Sequence, residues 1–175
     1  IRENITYEYL LQVLIDDIIA AEDSRFFEHD GFDLPRIAKT LITNLAHFSI
    51  RGGGSTITQQ VIKKSYFPKE EQTYTRKISE IFLAIQATKE VSKEEILTLY
   101  LNKIYFGRST SSIGIAAASK YYFNKEVSQL TLPEAALLAG TLNSPSAYDP
   151  YYNLDLANKR RNVILDLMVN HGYIT

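Results

Sequence analysis

The chain has 175 residues, 45% hydrophobic and 22% charged, which supplies one buried core and excludes intrinsic disorder. Its 19 basic and 20 acidic residues leave a net charge of -1, so no global positive field exists to hold a nucleic acid. With no cysteine, disulfides, thiolate catalysis and Cys-ligated zinc are excluded.

The sequence opens at Ile1 with neither a methionine nor a signal-like stretch, which reads as a fragment or a processed product. No run reaches the ~18 uncharged apolar residues of a spanning helix. The longest candidate, Ala135 to Tyr148, is interrupted by Asn143, Ser144 and Pro145. Tyr7, Leu10, Leu11, Leu14, Ile15, Ile18 and Ile19 recur at helical spacing and predict a first helix capped by Thr6. Leu34, Ile37, Ala38, Leu41, Ile42, Leu45 and Phe48 predict a second after Asp33, with Pro35 tolerated in the first turn. A third is predicted from Ser55 or Thr56 to about Tyr66, and a fourth after Thr75 with Ile78, Ile81, Phe82 and Ile85 on one face. Ser92 with Glu95 and Thr131 with Glu134 form capping boxes. Gly140 and Gly172 occupy expected C-cap positions, and Val163, Ile164, Leu167 and Met168 mark a last helix. No sustained alternation argues for a sheet, so the predicted fold is all-α, in one domain without repeats.

Four segments carry residues with chemical potential. In Glu22-Asp23-Ser24-Arg25-Phe26-Phe27-Glu28-His29-Asp30-Gly31, two carboxylates end an apolar helix. Apolar surroundings raise a carboxyl pKa and suit it to acid–base work, although on its own this segment is better explained as a solvated helix end. The glycines at 52–54 precede a Ser/Thr-opened helix, whose N–H groups make an anion site. On that helix Ser55, Thr56, Gln59, Gln60 and Lys63 share a polar face opposite Ile57 and Val61, a donor set suited to sugar hydroxyls and phosphate. Arg76 and Glu80 lie four apart with Ala84 and Ala87 on the same stripe, either as an ion pair or as a face cleared for a ligand. Tyr100-Leu101-Asn102 through Tyr105-Phe106-Gly107 ends a helix in an aromatic turn, which alone reads as core packing.

In order and spacing these segments resemble the bacterial peptidoglycan glycosyltransferase (transglycosylase) family, found in bifunctional penicillin-binding proteins and monofunctional enzymes. Its first motif is matched by Glu22, Asp23, Phe26, His29 and Gly31, its second by Gly53 to Gln60, and its third by Arg76, Lys77 and Glu80. The fourth is matched by Tyr100 to Asn102 with Tyr105, Phe106 and Gly107, and a fifth by Leu132 to Gly140, followed by Ser144-Pro145-Ser146. The resemblance implies a lysozyme-like head lobe with a small membrane-facing jaw at about 34–75. It implies inverting polymerisation of lipid II into β-1,4 glycan, with release of polyprenyl diphosphate.

By the same resemblance Glu22 is the general base and Glu80 the second essential carboxylate. Asp23, Arg25, Phe26, His29, Ser55, Thr56, Gln59, Gln60, Lys63, Arg76, Lys77, Asn102, Tyr105 and Gly107 would bind substrate. No cofactor is obligatory; a divalent cation, Mg or Mn, is an optional ligand near Glu80. The implied partners are lipid II, the growing glycan, the membrane surface, a fused transpeptidase domain and other cell-wall synthesis proteins, with no nucleic acid. The implied location is the outer face of the bacterial cytoplasmic membrane, through an anchor outside this sequence. Leu41, Ile42, Leu45, Phe48 and Ile50 would meet either the lipid interface or the head lobe. Gln72 stands where several relatives carry an arginine, which implies a donor phosphate held more by Lys63, Lys64 and Arg76. A glycan hydrolase using two carboxylates is the competing enzyme class.

Overall fold

A computed structural model describes residues 4–39, 54–67 and 73–175. The helices are α1 (Gln12–Glu22), α2 (34–39), α3 (Ile57–Tyr66), α4 (Tyr74–Glu90), α5 (Lys93–Lys103), α6 (Ile115–Phe123), α7 (Leu132–Thr141) and α8 (Leu154–Asn170). Among the described residues there is no strand, only an isolated bridge between Tyr105 and Ile113. The expected all-α class therefore holds. The expected membrane-interface residues 41–50, together with Gly52, Gly53 and Gln72, lie outside the described residues.

The chain forms two compact units, Ile1–Ser24 with Leu101–Thr175, and Arg25–Tyr100. In the first unit α1, α7 and α8 pack on one another. Every residue of α7 from Ala135 to Thr141 is buried, as expected of a helix with apolar residues on all sides. From α1, Leu14, Ile15, Ile18 and Ile19 enter the same core, where truncating any one to alanine costs about 2–5 kcal/mol.

Two expectations change here. The first helix does not start after Thr6. That residue opens a short 3-10 turn, Tyr7–Tyr9, without a side-chain cap, and Leu10 and Leu11 are extended before α1 begins. Gly140 is not a C-cap but a helical residue near the end of α7. A Cβ there would lie 3.1 Å from Arg160 Cγ, so its small size permits the close crossing of α8. Gly172 does follow a helix end, with φ +75°. The Gly172 amide bonds to Val169 O and the Tyr173 amide to Met168 O, the paired pattern of a left-handed helix stop.

In the second unit α3 packs against α4. The α3 start falls where the sequence puts it: Thr56 accepts from the Gln59 amide while the Gln59 side chain accepts from the Thr56 amide. For α4 the hydrophobic pattern misleads. Ile78 and Phe82, expected on the core face, are 67% and 73% exposed. The buried stripe carries Glu80 and Ala84 instead. Ion pairing and a small residue let this polar face close against its neighbours. No helix among the described residues is long and apolar enough to cross a membrane.

Candidate active site

Glu22 is the last residue of α1, in the first unit, and is half-buried. Asp23 caps the helix; it is buried, and its amide bonds to Ile19 O. The chain then turns through residues 25–33 in the second unit, and that turn is fixed from several sides. Arg25 pairs with Asp33 through two hydrogen bonds. Burial alone would push the Asp33 carboxyl up, but the hydrogen bond and charge of Arg25 and the Arg36 amide outweigh it and hold it below the usual range. Arg25 is thus engaged by an aspartate that the sequence patterns did not single out as its partner.

Phe26 is fully buried, an anchor for the turn. His29 Nδ1 accepts from the Gly31 amide. Gly31 has φ +81°, and a Cβ there would fall 2.4 Å from Ala84 O of α4. The Gly31 carbonyl accepts from the Thr56 hydroxyl at 2.8 Å, which joins the turn to the first residue before α3. Lys93 Nζ donates to the Phe26 carbonyl at 2.5 Å and to the His29 carbonyl, reaching across from the start of α5.

The second cluster lies where α3 begins against α4. Glu80 is 1% exposed, and each carboxylate oxygen meets a cation: Arg76 Nη1 at 2.5 Å and Lys77 Nζ at 2.6 Å. Lys77 Nζ also donates to Ser55 Oγ at 2.7 Å, and Gln59 Nε2 approaches Glu80 at 3.5 Å. The cluster brings Ser55, Gln59, Arg76, Lys77 and Glu80 together. Lys77 bridges the α3 entry to Glu80, a role the sequence assigned to neither residue. Thr56 and Gln59 are fully buried, and their side chains complete the capping box. Two amides that the sequence offers to an anion, those of Thr56 and Gln59, are therefore already satisfied internally. Gln60 is half-buried and accepts from the Tyr100 hydroxyl at 3.4 Å. Lys63 is half-buried on α3 and makes no ion pair or hydrogen bond through its ammonium among the described residues. At Glu80, where the optional divalent cation was expected, each carboxylate oxygen meets a side-chain cation. Among the described residues no three His, Asp or Glu converge as ligands.

The fourth motif belongs mostly to the first unit. The Asn102 side chain pairs with the backbone of Ile5, donating to Ile5 O at 2.9 Å and accepting from Ile5 N at 3.0 Å. Tyr105 is 43% exposed. At Gly107 a Cβ would sit 1.8 Å from the Tyr122 hydroxyl and 2.6 Å from Asp149 Oδ2, so those groups fill the space a side chain would need. Burial raises the Tyr122 phenol well above its usual range. Buried Asp149 in turn accepts from the Arg108 and Tyr151 amides, at 2.7 and 3.0 Å. Sequence spacing carries no trace of this Gly107 environment, because its partners come from 15 and 42 positions away.

Within the second unit, a buried carboxylate between two cations and a half-buried lysine on α3 make a cationic cluster suited to an anionic group. A family model described as Transglycosylase matches residues 1–169. Penicillin-binding protein 1A of Vibrio cholerae is 46% identical over 168 residues, covering 96% of this chain and 20% of that protein. Penicillin-binding protein 1A of Escherichia coli is 44% identical over 174 residues, with 99% and 20% covered. A crystal structure of penicillin-binding protein 1A from Haemophilus influenzae, 34% identical, matches 68% of this chain and 14% of that one, with a TM-score of 0.45. The chain belongs to the transglycosylase family; it is a peptidoglycan transglycosylase module, an enzyme that transfers glycosyl groups. It spans about a fifth of the length of the curated relatives it matches.

Proposed function

We propose that this module polymerises lipid II, with Glu22 as general base and the cluster of α3 and α4 as the site of the donor diphosphate. The acceptor sugar 4-hydroxyl is a poor nucleophile at neutral pH, so a carboxylate takes its proton as it attacks the donor anomeric carbon. Attack from the face opposite the diphosphate inverts the α-linked donor to a β-1,4 bond. The leaving group departs as an anion, and what it requires is charge stabilisation. Lys63, Arg76 and Lys77 supply that charge, with Ser55 and Gln60 contributing polar contacts. Glu80 is the buried counter-ion that keeps Arg76 and Lys77 oriented. The observation that carries this reading is that pairing of Arg76 and Lys77 on the buried Glu80, in the unit whose α3 also carries Lys63, an ammonium with no such partner among the described residues.

In the cell this reading places the module at the outer face of the cytoplasmic membrane, acting on lipid II and the growing glycan. It works there beside a transpeptidase domain and other cell-wall synthesis proteins. The names of its relatives support that setting. Incubation with lipid II alone tests the reading. Glycan polymer on a gel is the expected result. No polymer, together with cleavage of finished glycan, would assign the module to the hydrolases instead.

A further inference from the structure

We propose that Lys93 is a positioning residue for the transfer reaction, an ammonium clamp on the turn that follows Glu22. The inference rests on the glycosyl-transfer reading above.

Lys93 is the first residue of α5, immediately after Ser92, whose hydroxyl accepts from the Glu95 amide. A cation at a helix N-terminus opposes the macrodipole, whereas Glu94 and Glu95 in the same turn suit it. Lys93 therefore serves something other than its own helix. Its ammonium donates to the carbonyls of Phe26 and His29, 67 and 64 positions away in sequence, and lies 4.8 Å from the centre of the buried Phe26 ring. Charge-assisted bonds of this kind are stronger than neutral ones, and the ring face adds a cation–π attraction.

The carbonyls it holds belong to the turn that the Arg25–Asp33 pair and the Gly31 contacts fix at other points. The Glu28 and His29 amides both bond to Arg25 O. One end of this turn continues directly from Glu22 and the buried Asp23. The other end, through Gly31 O, receives the Thr56 hydroxyl that caps α3. Gln59 of that same cap reaches Glu80. Lys93 touches no reacting group. It acts through the turn, which joins the segment carrying the base to the helix start beside Glu80, and it lies outside the four motifs that carry the chemistry.

The test compares Lys93→Met, which keeps the stem and removes the donors, with Lys93→Arg, which keeps charge and donors. Turnover and KM are measured on lipid II, and amide hydrogen exchange is followed at Glu28 and His29. For Lys93→Met, turnover falls about 10- to 100-fold with KM within about twofold, the scale on which a remote displacement of catalytic geometry acts. Exchange at Glu28 and His29 accelerates at least about tenfold while that of α7 is unchanged, as expected for local rather than global opening. Lys93→Arg restores both readouts most of the way. Parent-like turnover and protection in Lys93→Met overturn the clamp, as does an equal loss of protection in α7. Should Lys93→Met fail to fold, Lys93→Gln, with a neutral donor, carries the same comparison. If the parent makes no polymer, the glycosyl-transfer reading fails, while the exchange comparison still decides the clamp.

Discussion

Asp17 is a carboxylate in the wrong solvent. It lies on α1 in the core of the first unit, is 0% exposed, and neither carboxylate oxygen has a hydrogen-bond partner. Burial, reinforced by the charge of Asp16, pushes its pKa from 3.8 up to about 8. The folded state thus binds a proton that the unfolded chain releases near pH 4. The resulting stability is fully present below the unfolded value and is lost as pH rises through the folded one. Between those limits the slope is about 1.4 kcal/mol per pH unit, or about 4 kcal/mol from pH 5 to pH 8. Asp17→Asn keeps the shape and removes the ionisation. Urea unfolding followed by circular dichroism at pH 5, 6, 7 and 8 measures the difference. The variant matches the parent only below about pH 4, where Asp17 is protonated in both states, and exceeds it increasingly from pH 5 towards pH 8. Parallel stability curves for parent and variant would refute the reasoning, since they would mean Asp17 is solvated or paired in the folded chain.

Other perturbations have equally definite outcomes. Gly31→Ala forces a side chain into a left-handed position and against Ala84 O, and lowers stability by about 2–5 kcal/mol in denaturant titration. Arg25→Ala removes the group that holds the Asp33 carboxyl low. The stability that Asp33 contributes above the unfolded aspartate value, and loses as pH falls through its depressed folded value, is then diminished. The parent is consequently more acid-sensitive than the variant in unfolding experiments run below about pH 4. Lys63→Ala weakens donor handling in lipid II polymerisation about tenfold or more in kcat/KM. Unchanged KM and turnover would remove Lys63 from the phosphate site.

Much of this molecule is legible in its residues because local chemistry and tertiary structure agree there. Thr131, Pro133 and Glu134 announce the α7 start as a capping box, and Thr56 caps α3 at one of the two expected positions. Agreement fails where partners are distant. Ile78 and Phe82 form the apolar face of α4 by periodicity, yet the buried face is the one whose charges neutralise one another, Arg76 and Lys77 on Glu80. Gly140 looks like a helix stop from its place in the chain and is instead a crossing point for α8. The motif residues were visible in sequence order, but not the division of labour among them. Arg25 is engaged by Asp33, and Asn102 by Ile5. Lys93 was invisible because the carbonyls it holds lie more than 60 positions upstream.

The central claim is that Glu22 removes the acceptor proton while Glu80 only orders its cations. Single-turnover polymerisation of lipid II by the parent, Glu22→Gln and Glu80→Gln, across pH, tests it most directly. Loss of the base abolishes polymer formation in Glu22→Gln at every pH. Glu80→Gln retains the acid limb of the parent pH profile at reduced rate, because the titrating base is intact. Polymerisation by Glu22→Gln at the parent rate, or an acid limb that disappears only in Glu80→Gln, would contradict the account.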